Sequence, residues 1–364
     1  MSGKHSMNNR GGQAAGEPLL SVRDVVQEFV VRSRAVPNRY STRNQGSKAG
    51  VVQAVSGVSF DVMPGETLGI VGETGSGKST LARALLQAPR PKSGAVLLRG
   101  ADLTKLRGKK LLQARRHMQF VFQDPFGSLD PKWHARSIVE EPLIAYRTGD
   151  RPARRKRVDE LLDLVGLDPA RYAKRHPREL SGGQAQRVAI ARALALSPSL
   201  IICDEAVSSL DVLIQAQVLN LFEKLRGELG LSYLFIAHDL ALVKQVSDRV
   251  AVMYLGKLCE VGPGDAVYRE PLHPYTRALL DSVPSTEPGA KRTAPTLKGE
   301  PPSPVNPPSG CRFRTRCPRA AEQCALEEPM PRELAPGHLV ACHFPLSQPA
   351  PAITAAVPAK ETVL

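Results

Sequence analysis

Residues 66–88 read Glu66-Thr-Leu-Gly-Ile-Val71, then Gly72-Glu-Thr-Gly-Ser-Gly-Lys78-Ser79, then Thr80-Leu-Ala-Arg-Ala-Leu-Leu-Gln-Ala88. A short apolar run feeds a glycine-rich loop, and helix-forming residues follow. The loop fits the pattern G-x-x-x-x-G-K-[ST]. Its glycines let backbone N–H groups face phosphates, Lys78 reaches the outer phosphates, and the Ser79 hydroxyl can ligate Mg²⁺. A strand before and a helix after (residues 78–88) are the context this loop requires, so a chance glycine loop is a poor account of it.

Two stretches downstream carry complementary chemistry. Leu200-Ile-Ile-Cys-Asp204-Glu205 is a buried strand whose end presents two carboxylates. Asp204 can hold the Mg²⁺ shell, and the adjacent Glu205 can polarise an attacking water as general base. Buried strands often end in acidic residues, so the pattern gains its weight from lying downstream of the phosphate loop. Leu180-Ser-Gly-Gly-Gln184 then opens a helical run, Ala185–Leu194. A hydroxyl at a helix N-terminus is an anion site. Plain capping by Ser181 is the structural alternative, but capping does not call for Gly-Gly-Gln, and glycine is poor in a first helical turn.

Outward from these motifs the chain alternates short apolar strands and amphipathic helices, which predicts an α/β fold with a mostly parallel core sheet. Residues 18–32 and 51–62 read as strands, with the polar stretch 33–50 a loop between them. Residues 1–17 and 345–364 read as disordered tails. Residues 284–308 hold eight prolines in 25 residues, the mark of an extended linker or wrapping arm. The segment 309–344 carries four of the six cysteines. Cys203 and Cys259 lie in apolar runs and read as core.

Composition narrows the class. Apolar residues make up 42% and charged residues 23% of the 364, an ordinary globular balance. No stretch approaches the roughly 20 apolar residues that span a bilayer. The N-terminal residues lack the apolar core of a secretory signal, which points to a cytoplasmic location. The net charge of +14 includes a run at Arg151–Arg157. Val158, Leu161, Leu162 and Val165 follow at helical spacing, which favours a solvated helix face over nucleic-acid contact. Aromatics at 5% supply no stacking platform for single strands. A positive charge also suits a peripheral protein on an anionic leaflet.

Gly72–Ser79, Gln123, Leu180–Gln184, Asp204–Glu205, Ser209-Leu-Asp211 and His238 occur in one fixed order. Together they resemble an ABC-transporter nucleotide-binding domain over residues 18–283, with an antiparallel β subdomain and a helical subdomain at about 124–182. The resemblance implies an ATPase using ATP and Mg²⁺. It places ATP on Gly72, Glu73, Thr74, Gly75, Ser76, Gly77, Lys78, Ser79 and Thr80, and Mg²⁺ on Ser79, Gln123 and Asp204. Glu205, His238, Gln123 and Lys78 become the catalytic set, with His238 on the γ-phosphate. Phe29 is the aromatic expected to stack on adenine, with Tyr40 in reserve. Ser181, Gly182, Gly183, Gln184 and Asp211 are expected to meet ATP held by a second domain.

Glu270-Pro-Leu-His-Pro-Tyr-Thr-Arg-Ala-Leu-Leu280, Asp124–Pro131 and the segment Cys311-Arg-Phe-Arg-Thr-Arg-Cys317-Pro318 narrow the likeness to the ATP-binding subunits of dipeptide, oligopeptide and nickel importers. The implied partners are two membrane permeases, a second ATPase and an extracytoplasmic binding protein, with no nucleic acid. The implied location is the cytoplasmic face of the inner membrane. Cys311, Cys317, Cys324 and Cys342 are separated by 5, 6 and 17 residues and lack the close CxxC pairs of common zinc sites. Four thiolates can hold zinc or an iron–sulfur cluster. The resemblance favours a [4Fe-4S] cluster, while His338 and His343 keep zinc open and reduced cysteines in a loose tail are the plain alternative. A soluble ABC ATPase acting on nucleic acid or ribosomes would show tandem cassettes or a long insertion. Here one cassette is present, with about 100 residues between Ser79 and Leu180. A redox-regulated ATPase module is the third reading.

Overall fold

The computed structural model describes residues 16–32, 49–282 and 299–348. All but the last two residues of the expected N-terminal tail, all but a few residues of the expected C-terminal tail, the loop 33–48 with Tyr40, and the first part of the proline-rich arm lie outside them.

The chain forms β1 (Leu20–Arg32), β2 (Ala49–Val62), β3 (Thr67–Val71), α1 (Lys78–Leu85), β4 (Ser93–Leu98), β5 (Ala101–Asp102), α2 (Gly108–Arg115) and β6 (Met118–Val121). A helical stretch follows, with α3 (Pro125–Ser128), α4 (Ala135–Ala145), α5 (Arg151–Leu164), α6 (Pro169–Tyr172) and α7 (Gly182–Leu194). Then come β7 (Leu200–Asp204), α8 (Val212–Leu229), β8 (Ser232–Ile236), α9 (Leu240–Val246), β9 (Arg249–Tyr254) and β10 (Lys257–Pro263). The chain closes with α10 (Gly264–Arg269), α11 (Pro274–Asp281), α12 (Gln323–Leu326), β11 (Arg332–Ala335) and β12 (His338–Val340).

Two sheets organise these elements. One is antiparallel, in the order β2-β1-β4-β5. The other has the order β11-β12-β10-β9-β3-β8-β7-β6, and β9, β3, β8, β7 and β6 run parallel within it. Parallel strands covered on both faces must be apolar on both faces. Leu68, Ile70, Ile202 and Leu234 enter one core, while Val71, Ile201, Cys203 and Phe235 enter the other. Each such buried side chain stabilises by about 1.5–3 kcal/mol, so the loops at the carboxyl ends of these strands stand on a sheet buried on both faces.

Of three points in the sequence reading, the extent of the first helix and the place of the cysteine segment differ, while the basic run lies on a helix face as expected. α1 ends at Leu85 rather than running to Ala88, because Gln87 turns to φ 60° and Pro89 follows. The basic run lies on α5, where Val158, Leu161 and Leu162 are buried and Arg154 pairs with Glu140 at 2.9 Å. The cysteine-bearing segment does not simply trail from the arm. Its hairpin β11–β12 extends the main sheet, with Glu260↔Val340 and Val261↔Leu339 in register. Upstream of it, Pro304 of the arm accepts a hydrogen bond from Gln53 N at 2.9 Å and lies along β2.

Candidate active site

The functional side chains emerge where parallel strands end. Gly72 follows β3, Gln123 lies just past β6, Glu205 follows β7 and His238 lies just past β8. In open α/β sheets that edge is where ligands bind. Phe29, Gly75, Gly77 and Lys78 line a single open cleft of about 600 Å³ there. Thr74, Ser79, Thr80, Gln123, Glu205 and His238 line the same cleft.

The loop Gly72–Gly77 can only be built around glycine. Gly77 has φ 106°, and a Cβ there would lie 2.1 Å from the carbonyl oxygen of Ala54. Gly77 is also the N-cap of α1 and gives that helix no side-chain cap. The first-turn amides of α1 are therefore kept for a ligand. Lys78 is buried and curls back over the loop, donating to Gly72 O at 2.6 Å and Glu73 O at 3.0 Å. Burial pulls its pKa below the ordinary lysine value, against the opposing charges of Glu205, Asp204 and Glu73. An arriving polyphosphate relieves that desolvation by offering the ammonium a full counter-charge.

Ser79 Oγ donates to Asp204 Oδ1 at 2.8 Å. Adjacent ligands of an octahedral Mg²⁺ at about 2.0–2.1 Å lie about 2.9 Å apart, so this oxygen pair fits the ion. Burial raises the Asp204 pKa, while the Ser79 hydrogen bond and the charges of Arg83 and Lys78 oppose the rise. A bound divalent cation would complete that opposition. Glu205 sits at φ 50°, its N–H held by Ile236 O at 2.8 Å. Its Oε1 lies 3.3 Å from His238 Nδ1. A carboxylate and an imidazole thus share the mouth of the cleft.

Other expected residues stand elsewhere. Ser181 caps α7 by accepting from Gln184 N at 3.3 Å, and Gln184 Oε1 accepts from Ser181 N at 3.0 Å. Gly183 is packed so that a Cβ would meet Ile214 at 2.5 Å. Asp211 caps α8 through Ile214 N at 3.0 Å. None of Ser181, Gly182, Gly183, Gln184 or Asp211 lines the cleft.

The cysteine segment has its own geometry. Cys311 N donates to Cys324 O at 2.8 Å, tying the two ends of its loop. Burial is the main cause that raises the Cys342 pKa, and the nearby Cys317, Cys311 and Cys324 add to the rise. Burial pushes Cys342 up to about 12 and Cys317 up to about 11. Among the described residues no group of three or more His, Cys, Asp or Glu side chains is arranged to hold a metal ion. The histidines weighed as zinc ligands are committed to other partners. His338 Nε2 bonds Glu260 Oε1 at 2.7 Å in a buried pair, and His343 Nε2 bonds Glu327 O at 3.0 Å. Glu260 also accepts from the N–H groups of Leu272 and His273, so its charge locks α11 and β12 onto β10.

Sequence reasoning missed several residues around the site. Val52, Ala54 and Pro304 line the cleft. Glu73 is held by Tyr275, whose hydroxyl accepts from Glu73 N at 2.9 Å, and by Arg316. Tyr275 and Arg316 lie in the two segments singled out above as marks of a subgroup, but nothing in the sequence said what they touch.

This arrangement defines a P-loop nucleotide site of the ATP-binding cassette kind. Residues 55–208 match the family model described as ABC transporter, and residues 259–324 match the Oligopeptide/dipeptide transporter, C-terminal region. The oligopeptide transport ATP-binding protein AppF of Bacillus subtilis is 50% identical across 90% of this chain and 98% of its own length. The probable peptide ABC transporter ATP-binding protein y4tS of Sinorhizobium fredii is 52% identical across 80% of this chain and 83% of its own. A solved dimeric post-hydrolysis state of the ATP-binding cassette MJ0796, bound to ADP and Pi, superposes with a TM-score of 0.56 at 30% identity, over 67% of this chain and 98% of that one. CbiO1 of Clostridium perfringens, part of a cbiONQ transporter complex, gives 0.58 at 26% identity over 70% and 91%. The chain belongs to the ABC transporter family, among the ATP-binding proteins that carry the oligopeptide/dipeptide C-terminal region. It is an ABC-type ATPase. Among the described residues no helix is long and apolar enough to cross a membrane.

Proposed function

We propose that the chain hydrolyses ATP to power peptide import through two membrane permeases, from the cytoplasmic face of the inner membrane, with a second ATPase and an extracytoplasmic binding protein as further partners. The observation that carries the ATPase reading is the meeting of Ser79 and Asp204 at 2.8 Å, and of Glu205 and His238 at 3.3 Å, at one cleft. The peptide cargo is inferred from the relatives' names and from the C-terminal region they share.

The roles are those the resemblance implies. Loop residues 72–80 and the α1 amides bind the phosphates, and Lys78 turns from the loop carbonyls to the outer phosphates. Ser79, Asp204 and Gln123 would hold Mg²⁺, which supplies charge neutralisation on the transferred group. Glu205 accepts the proton of the attacking water, and His238 contacts the γ-phosphate from beside it. Phe29, 40% exposed on β1, stacks on adenine. Ser181, Gly182, Gly183, Gln184 and Asp211 act across an interface, on nucleotide held by the second ATPase. The cassette is taken as residues 18–283, its helical subdomain as 124–182, the arm as 284–308 and the cysteine module as 309–344. A four-iron cluster on Cys311, Cys317, Cys324 and Cys342 is the reading the resemblance favours over zinc, although no group of described residues is arranged to hold a metal ion. Iron and sulfide analysis of protein purified without oxygen tests that assignment, and zinc at one equivalent with no iron would sink it.

The test of the whole is co-purification from detergent-solubilised membranes. Two multi-helix permeases and a second ATPase are expected with the tagged chain. Recovery of soluble or nucleic-acid partners only, with no membrane protein, overturns the importer reading.

A further inference from the structure

Glu73 is an acid inside a loop that has to bind a polyanion. It precedes Thr74 and Gly75, which line the cleft. An uncompensated carboxylate there would repel the triphosphate and compete for Lys78, whose ammonium already feels it. The loop cannot dispose of that charge by itself, because the Glu73 backbone is committed. Its N–H goes to Tyr275 Oη at 2.9 Å, and its carbonyl accepts from Lys78 Nζ at 3.0 Å.

The neutralising charge arrives from 243 residues away. Arg316 Nη1 donates to Glu73 Oε2 at 2.7 Å and Nη2 donates to Oε1 at 3.0 Å, a two-pronged pair. Its side chain is only 5% exposed. The guanidinium also lies 5.8 Å from the centre of the Tyr254 ring, and Tyr254 Oη accepts from Nη1 at 3.4 Å. The segment carrying Arg316 is fixed by neighbouring contacts. Phe313 packs between Tyr254 and Tyr275 at 5.2 Å from each ring. Arg312 donates to Gln53 Oε1 at 2.7 Å and to Ser56 Oγ at 3.0 Å on β2. The pair is therefore placed by the segment between Cys311 and Cys317, and the P-loop is electrostatically complete only when that segment is docked.

We propose that Arg316 is a positioning residue of the ATP site, which cancels the Glu73 charge and holds it aside so that the loop accepts the triphosphate. The inference rests on the ATP-site reading of residues 72–80. It makes the C-terminal segment part of the nucleotide site of its own chain.

Charge and scaffold make different predictions, and a double-mutant cycle separates them. Affinities of the full-length chain for the non-hydrolysable imido analogue of ATP and for ADP, each with Mg²⁺, would be measured by calorimetry. R316Q should weaken the ATP analogue about tenfold, the scale of one uncompensated charge near a polyanion in a partly solvated site. ADP, with one charge fewer, should weaken less. R316K keeps the charge without the fork and should stay within about threefold of wild type. E73Q/R316Q, which lacks both charges and keeps the net charge of the wild-type pair, should return to within about threefold of wild type, since the carboxylate left bare in R316Q is gone. A tenfold loss that persists in E73Q/R316Q, or an R316Q chain that binds like wild type, overturns the proposal. Thermal melts check folding, and if R316Q alone does not fold, the comparison of wild type with E73Q/R316Q and with R316K decides it. A wild-type chain that binds neither nucleotide would instead fail the ATP-site reading.

Discussion

α1 and α7 each begin with a turn of serine and glycine, and their N-termini are prepared in opposite ways. The N-cap of α1 is Gly77, which offers its first-turn amides no side chain. The N-cap of α7 is Ser181, which forms a reciprocal capping box with Gln184. Four orphan amides at a helix start must find partners. α1 leaves its amides to the cleft and gathers Lys78, Ser79 and Asp204 around it. α7 gives the Gln184 amide a partner in the Ser181 hydroxyl, and no residue of its turn lines the cleft. A glycine-rich turn before a helix is thus not a ligand site by composition. It becomes one where the cap is withheld and charged groups converge. Among the described residues, the α1 turn lines a pocket and the α7 turn does not.

The largest expected effect tests the chemistry on the α1 side. E205Q should lower hydrolysis by about 10²–10⁴-fold while nucleotide binding persists, the usual weight of a general base. Phosphate release and nucleotide binding measured side by side check this. Retained hydrolysis would move the base elsewhere in the cleft.

Next comes the backbone of the two turns. G77A forces an L-residue to φ 106° with its Cβ 2.1 Å from Ala54 O. Strain of about 1–3 kcal/mol follows before any clash is relieved, and nucleotide binding should fall beyond detection. G182A meets only the end of the Leu210 side chain at 3.2 Å. Alanine is the better helix former by about 1 kcal/mol, so the fold should tolerate G182A and single-chain nucleotide binding should not change. Calorimetry and melts on the two variants would break the comparison if they behaved alike.

A smaller effect is pH dependence on the α1 side. Burial is the main cause that lowers the Lys78 pKa below 10.5. The base loses its proton in the folded chain before it would in the unfolded one, so this group's contribution to apo stability rises with pH in that window. ATP affinity should move the other way, falling as pH climbs toward 10.5, because the neutral amine no longer counters phosphate charge. Affinity titrations across alkaline pH, with K78R as the non-titrating control, test the sign.

Much of the α1 side is legible in sequence because it is local. Gly72–Ser79 is one contiguous loop, and Asp204-Glu205 ends an unbroken apolar strand. Gln123 and His238 gain meaning only from their order among the other motifs. What escaped is long-range. Glu73 reads as one more residue of the ATP loop, and nothing local says that Arg316 pairs with its carboxylate. Pro304 reads as linker until it is found in the cleft wall. His338 keeps a zinc site open in sequence because nothing local announces that buried Glu260, in another strand, pairs with it. The capping role of Ser181 was legible as an alternative, and the fold realises it. Periodicity and spacing report which element a residue belongs to, while pairing between distant elements depends on how sheets and arms close.

The smallest effect decides what the capped turn is for. S181A removes the acceptor for Gln184 N and should cost about 1 kcal/mol, the ordinary value of a serine cap. A melt would show a shift of a few degrees, with single-chain nucleotide binding unchanged because no residue of this turn lines the cleft. If capping is its whole role, hydrolysis by the assembled ATPase pair should fall no more than that stability loss explains. If the Ser181 hydroxyl and the α7 amides close on the partner's nucleotide, hydrolysis should drop by about tenfold or more, as for one lost transition-state donor. S181T keeps the hydroxyl and a cap of similar strength, so it should recover stability under either role. It should recover hydrolysis only if the added methyl fits against the partner. The comparison of α1 with α7 therefore turns on whether hydrolysis tracks the cap energy, or departs from it by the margin that only a ligand contact supplies.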